Sequence, residues 1–157
     1  MSMTGMSQSD RVAVVSSRWH GDIVGHAVDT FCREVDAHPR FAVDRFEVPG
    51  AFEIPLRVQR LARSGIYAAI AACAFIVDGG IYRHEFVAHT VLDALMRIQL
   101  DEETPVFSAV LTPHAFHEHY EHRMFFSTHF VVKGQELAQA LLQVCAADAE
   151  HAEPAVS

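Results

Sequence analysis

The stretch FIVDGGIYRHEF, residues 75–86, decides the fold of this chain. It starts in an apolar run that begins at Tyr67, passes through Asp78, Gly79 and Gly80, and continues into a helical pattern. A strand, a glycine turn and a helix in this order predict one unit of an α/β sheet. Ligands of such sheets bind beyond the carboxyl ends of the parallel strands, and the amides at a helix N-terminus favour an anionic group.

Strand and helix patterns alternate on both sides of this stretch. Residues 12–15 are wholly apolar and predict a strand covered on both faces, whereas Phe41–Val48 mixes charged and apolar residues and predicts a strand at the sheet edge. Val106–Leu111 predicts a fourth, buried strand. Helices are predicted at about residues 22–37, 55–64, 81–98 and 134–148. The alternation predicts a parallel sheet with helices on both faces, and the histidine-rich residues 114–130 predict a link without a clear period.

Length and charge restrict the class of protein. A chain of 157 residues fits one domain, and we expect a disordered leader at residues 1–10, a single domain at 11–150 and a polar tail at 151–157. The 12 basic and 20 acidic residues give a formal charge of -8 without a basic patch. This charge argues against nucleic acid and anionic membranes as partners.

The cysteines and the leader indicate a compartment. Cys32, Cys73 and Cys145 lie far apart among apolar neighbours and lack CxxC spacing, so we expect reduced thiols in the core. The leader MSMTGMSQSD has no apolar centre and no basic start, and it is therefore predicted to be neither a signal peptide nor an anchor. These features predict a cytoplasmic protein.

Four sequence features together resemble the lumazine synthase family. They are Trp19 at the end of the first strand, VPGAFEIP at 48–55, FIVDGGIYRHEF at 75–86, and the pair Lys133 and Gly134. The strings RWH, GGIYRHEF and LTPHAFHEH are similar to the second type of this enzyme, found in some proteobacteria, and the resemblance covers about residues 11–148. It implies a three-layer α/β/α, flavodoxin-like sandwich whose four-stranded parallel sheet has the order 2-1-3-4.

The resemblance also implies an activity. Members of the family are transferases of riboflavin biosynthesis that condense 5-amino-6-(ribitylamino)pyrimidinedione with 3,4-dihydroxy-2-butanone 4-phosphate to give 6,7-dimethyl-8-ribityllumazine. The chemistry requires neither a cofactor nor a metal, because positioning and proton transfer can accelerate its steps. The two small-molecule substrates and further copies of the chain are the expected partners, with a homopentamer, paired into a decamer, as the expected assembly.

The family pattern assigns residues to the pyrimidine substrate. Trp19 supplies an aromatic face, and the Glu53 carboxylate accepts hydrogen bonds from the ribityl hydroxyls. Ser108 falls where a partner subunit closes over the ring. The complete set of substrate-binding residues predicted in this way is Trp19, Ala51, Phe52, Glu53, Phe75, Ile76, Val77 and Ser108, with the three residues that end the third strand acting through main-chain groups.

The phosphate substrate is assigned to the glycine turn and to a histidine. The amides of Gly79, Gly80 and Ile81 are expected to open the third helix and to cradle the phosphate. The family places an arginine of a neighbouring subunit on the same phosphate, and alignment puts His122 at that position, beside Arg123. Protonated histidine can serve there.

The catalytic position is where the chain departs most from the family. Most members carry a histidine there, whereas this chain has Arg83, followed by His84. Arginine stays charged, so we expect Arg83 to stabilise charge on the leaving group and not to transfer a proton. Since helix neighbours point about 100° apart, His84 should face away if Arg83 faces the phosphate, unless the first turn of the helix is irregular.

The sequence also allows other interpretations. A non-catalytic protein of the same fold that binds a flavin or lumazine needs the aromatic slot but not the phosphate cradle. Trp19 can pack at the sheet end, and Glu53 can be a solvated carboxylate in a first helical turn. A weaker alternative is a metal carrier, which a set of five histidines suggests. No cysteine or aspartate accompanies these histidines, and this weakens the interpretation. These histidines are His114, His117, His119, His122 and His129.

Overall fold

The computed structural model describes residues 10–77, 83–112 and 120–152, with side chains at 124–147 in the last range. In chain order the described elements are β1 (Asp10–Ser17), α1 (Gly21–Asp36), β2 (Phe41–Val48), a 3-10 turn (Ala51–Glu53), α2 (Ile54–Arg63), β3 (Tyr67–Phe75), α3 (His84–Glu102), β4 (Val106–Leu111) and α4 (Tyr120–Ala152). Every helix among these elements is too short or too polar to cross a membrane.

The four strands pair as one parallel sheet in the order β2-β1-β3-β4. This order confirms the expected flavodoxin-like arrangement, and it confirms β2 as an edge strand. One core cluster joins the sheet to α1 and α4, and a second joins its other face to α2 and α3. The molecule therefore has the three layers that the alternation of patterns predicts.

Small residues in the central strand β3 bring the helices close to the sheet. Ala71, Ala72, Cys73 and Ala74 are completely buried and alternate between the two core clusters. Because their side chains are short, they leave room for the larger side chains of the helices on both faces. The result is a compact platform for the loops at the carboxyl ends of the strands.

The three cysteines are confirmed as buried thiols that form no disulfide. Burial raises the pKa of Cys73 to about 12 and also raises the pKa of Cys32. Both thiols thus stay protonated at neutral pH, and only the thiolate is a strong nucleophile. The described structure gives Cys32 and Cys73 a role in packing.

The last helix is much longer than the sequence pattern predicts. We expected a link over residues 114–130 and a helix from about Gly134, whereas α4 already begins at Tyr120. The boundary was wrong because Gly134 lies inside the helix, at a buried position between Phe130 and Leu137. A glycine has no apolar side chain, so the apolar pattern of the buried face is interrupted in the sequence although the helix continues.

Asp44 links three strands near the amino end of the sheet. Its carboxylate accepts a hydrogen bond from Arg11 Nε of β1 at 3.0 Å and another from Tyr67 Oη of β3 at 2.9 Å. The hydrogen bond from Arg11 is the main cause that lowers the pKa of Asp44 below its usual value of 3.8, and the bond from Tyr67 acts in the same direction. The network therefore favours the ionised carboxylate in the folded state.

We expect this network to make stability depend on pH at the acid end. Because the folded-state pKa of Asp44 is lower than the unfolded one, its contribution is present at neutral pH and is lost as the pH falls through the folded-state value. Asp44→Asn should lower the urea midpoint at neutral pH, and its difference from wild type should shrink below about pH 4. Asp29→Asn, which breaks an exposed ion pair with Arg45, is the control with a smaller effect at neutral pH. A difference that does not change with pH would contradict this role for Asp44.

Candidate active site

Trp19, the single tryptophan of the chain, lies just beyond the carboxyl end of β1, next to the end of β2. The backbone ladder continues beyond both strands, since Arg18 N donates to Val48 O at 2.7 Å and Trp19 N donates to Pro49 O at 3.1 Å. Trp19 is nevertheless 65% exposed. This exposure argues against a ring that is packed into the core, and an indole on a fixed backbone is well suited to stack on a flat ligand.

The VPGAFEIP motif forms the turn between β2 and α2. Gly50 N donates to Glu53 Oε1 at 2.8 Å, and Glu53 N donates to Gly50 O at 3.1 Å. These two bonds close the 3-10 turn, and Pro55 follows in the first turn of α2, as its missing N–H predicts. Glu53 is exposed, but its carboxylate is not simply solvated, because one oxygen holds the backbone of Gly50.

The two residues between Gly50 and Glu53 differ in their environment. Ala51 is buried in the core cluster beneath α2 and α3, whereas Phe52 is about half exposed. Phe52 and Glu53 thus reach the surface beside Trp19, while Ala51 anchors the turn to the sheet.

Phe75 ends β3 with its ring inside an aromatic cluster. The ring centroid lies 5.7 Å from that of His20, 5.0 Å from Phe126 and 5.3 Å from Phe130. His20 has a left-handed backbone (φ 57°, ψ 34°) and turns the chain from β1 into α1. The Phe75 ring is therefore part of the core, and its predicted role at the site rests on its main chain.

Ile76 and Val77 continue from the end of β3. Ile76 is buried, and its N–H donates to Leu111 O of β4 at 2.9 Å. That N–H group is therefore already used by the sheet and is not available to a ligand. Val77 is half-buried and packs against the cluster that contains Phe75.

The start of α3 differs from the expected one. The helix begins at His84, and Arg83 precedes it in an extended conformation (φ -78°, ψ 142°), so the helix does not begin at residues 79–81. The acidic Glu85 in the first turn is favoured by the helix dipole, which suits a start at this point. The 100° rule for helical neighbours therefore does not apply to Arg83 and His84, because Arg83 is not helical.

Glu85 lies between the two candidate catalytic side chains. Its carboxylate is 3.4 Å from Arg83 Nε and 3.5 Å from His84 Nε2. The Arg83 side chain is 71% exposed, whereas that of His84 is 12% exposed. Arg83 can therefore reach an anion in solution much more easily than His84, although both belong to one small charged group.

Ser108 is not brought to Trp19 within one chain. It lies in β4, two strands from β1, and three residues before the end of its strand at Leu111. Strand spacing and residue rise place it roughly 10 Å across and 10 Å down the sheet from the carboxyl end of β1. Ser108 is exposed and borders a cavity of about 240 Å³, which Lys133 and Glu136 of α4 also line.

Part of the predicted site lies outside the described residues. This holds for Gly79, Gly80 and Ile81, and for the side chain of His122 in α4, so their phosphate roles stay predictions. The side chain of His129 is described, is exposed, and stacks on Phe125 at a centroid distance of 6.3 Å. Among the described residues, no group of three potential ligand side chains is placed to hold a metal ion.

Two further residues belong to the candidate site but received no role from the sequence. Gly50 contacts the Trp19 ring, and the available signal in the sequence was its position directly after Pro49 in VPGAFEIP. Lys133 pairs with Glu136 at 3.1 Å beside Ser108. It is the single lysine of the chain, and the sequence marked it as part of the family resemblance without giving it a role.

Known proteins resemble this chain in sequence. The sequence model of the 6,7-dimethyl-8-ribityllumazine synthase family matches residues 9–148. A protein of that name from Rhodococcus erythropolis is 57% identical over 85% of this chain and 88% of its own length. Two proteins named 6,7-dimethyl-8-ribityllumazine synthase 2, from Bradyrhizobium diazoefficiens and Pseudomonas syringae, are 54% and 51% identical over 85% and 83% of this chain and 81% and 78% of their own lengths. The family match covers every strand that carries a candidate site residue.

Proposed function

We propose a function from one premise, which is that this chain belongs to the 6,7-dimethyl-8-ribityllumazine synthase family. It is a transferase of riboflavin biosynthesis that condenses 5-amino-6-(ribitylamino)pyrimidinedione with 3,4-dihydroxy-2-butanone 4-phosphate. In the structure, the observation that carries this proposal is the exposed Trp19 ring beside the VPGAFEIP turn. An aromatic face next to exposed polar groups suits a flat heterocycle with a polyol tail.

The pyrimidine substrate lies on the Trp19 ring in this proposal. Glu53 Oε1 already accepts a hydrogen bond from Gly50 N, so Oε2 accepts from the ribityl hydroxyls. The carbonyl of Ile76 and the main chain of Val77 meet the edge of the heterocycle. Such an arrangement combines one apolar face with a few directional polar groups, as small-molecule sites usually do.

The phosphate substrate lies beside the start of α3. The amides of Gly79, Gly80 and Ile81, which precede α3 in the sequence, hold its phosphate, with His122 of a neighbouring copy as a further cation. The reaction consists of imine formation, loss of inorganic phosphate and ring closure. Arg83 stabilises the charge of the departing phosphate, and these steps need no metal or cofactor.

A direct assay tests the activity. We expect lumazine fluorescence to develop when the protein is mixed with both substrates, and to be absent when either substrate is left out. Treatment with a chelator should leave the rate unchanged. If the activity were lost on chelation and restored by zinc, the histidines would have a metal role. Binding of lumazine or flavin without turnover would instead identify a non-catalytic binding protein.

The assembly is a homopentamer, with two pentamers paired into a decamer. Support comes from α3, whose side chains Phe86, Leu92, Met96 and Leu100 are exposed although they are large and apolar. Three of them recur every four residues and so form one stripe on the helix. The distance between Trp19 and Ser108 is a second support, because a neighbouring copy can supply a Ser108 that the same chain does not bring near.

Interrupting this stripe tests the assembly. Met96→Glu should give a smaller particle in light scattering and should lose most of the turnover, since charge is costly in an apolar interface and the site is shared between copies. Ile66→Glu is the matched control, because Ile66 is similarly exposed but lies in the turn before β3. A wild-type protein with the mass of one chain at micromolar concentration would contradict the proposed assembly and the shared site.

We place the protein in the cytoplasm. Its three buried thiols form no disulfide, which is the usual state of cysteines in a reducing compartment.

A further inference from the structure

We propose that Gly50 and Glu53 are positioning residues for the Trp19 ring. Gly50 provides the surface on which the indole lies, and Glu53 holds Gly50 in place through its carboxylate. The inference rests on the proposed function in one respect, because the ring is taken as the surface that receives the pyrimidine substrate. Beyond that function, it explains what fixes the orientation of the Trp19 ring.

The first observation is the close approach of the indole to Gly50. A Cβ added to Gly50 would lie 2.6 Å from Cζ3, 2.7 Å from Cε3 and 3.2 Å from Cη2 of Trp19. The backbone of Gly50 is extended (φ -143°, ψ -179°), a conformation that any residue adopts. Glycine is therefore required at this position for space and not for its conformational freedom.

The second observation is a chain of bonds that fixes both partners. Trp19 N donates to Pro49 O at 3.1 Å, so the backbone of the tryptophan is tied to the residue before Gly50. Gly50 N donates to Glu53 Oε1 at 2.8 Å, so the glycine is tied to the first turn beyond it. The six-membered part of the indole lies against a backbone that is held from both ends, while the residue as a whole stays 65% exposed.

This arrangement couples the two halves of the pyrimidine substrate. The ribityl chain and Gly50 both use the Glu53 carboxylate, and Gly50 sets the place of the ring that stacks on the heterocycle. A change at Glu53 therefore affects stacking as well as the polyol contact. Substitutions of residues that share a partner in this way do not have additive effects, and a double-mutant cycle measures the coupling energy between them.

The ligand-free protein provides the first test, since Trp19 is the sole source of tryptophan fluorescence. Gly50→Ala should shift the emission maximum and change acrylamide quenching, because the new methyl group displaces the exposed ring. The far-UV circular dichroism should stay that of the wild type. Gly25→Ala is the matched control, since a Cβ there meets no atom of the described residues within 4 Å, and it should leave the emission unchanged.

Glu53 is tested in the same measurement. Glu53→Ala should alter the emission in the direction that Gly50→Ala does, whereas Glu53→Gln keeps an acceptor oxygen for Gly50 N and should preserve the wild-type emission. A carboxylate that only binds ribityl hydroxyls would leave the ligand-free emission unchanged in both variants, and that result would overturn its positioning role.

Kinetics then connect the ring position to substrate binding. Gly50→Ala should raise KM for the pyrimidine substrate on the order of tenfold, within the range that aromatic stacking contributes, and leave KM for the phosphate substrate unchanged. In a Trp19→Phe background the same change should cost less than about twofold, because phenylalanine lacks the ring atoms that meet the new methyl group.

These experiments distinguish a failure of the positioning role from a failure of the proposed function. Unchanged ligand-free emission in Gly50→Ala, or an equal KM increase in both backgrounds, would overturn the positioning role. If the wild type makes no lumazine, the proposed function fails, and the ligand-free emission of Gly50→Ala and Glu53→Ala still decides whether these residues position the ring.

Discussion

Replacing Gly134 by alanine should lower the free energy of unfolding by about 2–3 kcal/mol. A Cβ at this position would lie 2.6 Å from the carbonyl oxygen of Ala27 and 2.9 Å from Thr30 Cβ, both on α1. The first contact is with backbone, which cannot rotate away as a side chain can, so α4 must move from α1. Much of the core beside the sheet depends on this helix pair, and the cost should exceed the gain in helix propensity that alanine brings.

Gly25→Ala is the matched control for this prediction. Gly25 also lies inside a helix, α1, but a Cβ there meets no atom of the described residues within 4 Å. The control should therefore stabilise the protein by roughly 0.5–1 kcal/mol. Thermal unfolding at one protein concentration should give a midpoint lower by about 5–10 °C for Gly134→Ala and slightly higher for Gly25→Ala. Equal midpoints for the two variants would mean that α4 lies farther from α1 than the structure shows.

Replacing Arg83 by alanine should lower turnover about 10²-fold, with little change in KM for the pyrimidine substrate. The side chain is 71% exposed at the start of α3 and carries a permanent charge, so it is available to a departing phosphate. Arg33→Ala, which removes an exposed arginine from the last turn of α1, should leave turnover unchanged. Steady-state kinetics with each substrate varied in turn would separate turnover from binding.

Replacement of Arg83 by histidine makes the proton-transfer hypothesis testable at the same position. Arg83→His should raise turnover and introduce a pH dependence near roughly 6.5, because a histidine can give and accept a proton there. His84→Ala should have a smaller effect than Arg83→Ala, since its side chain is 12% exposed. Loss of turnover in His84→Ala with normal turnover in Arg83→Ala would reverse the two roles.

Local motifs define the part of the site that could be predicted from the sequence. Trp19 and VPGAFEIP are contiguous strings at strand ends, and the structure places them side by side because parallel strands end at the same edge. The sequence assigned the main chain of Ile76 to the ligand without showing that its N–H group is used within the sheet. Its use by Leu111 O depends on pairing with β4, more than thirty residues away, which no local pattern shows.

Local periodicity by itself determined the α/β class, the edge position of β2 and the order of strands and helices up to β4, because each depends on which residues of one segment are apolar. The tertiary structure alone decided three features. They are the interior position of Gly134, the contact of Gly50 with Trp19 and the separation of Ser108 from that ring. Each depends on how residues far apart in the chain pack together. A glycine that is needed for space has no side chain to mark it, so only the packing of its neighbours shows why it is there.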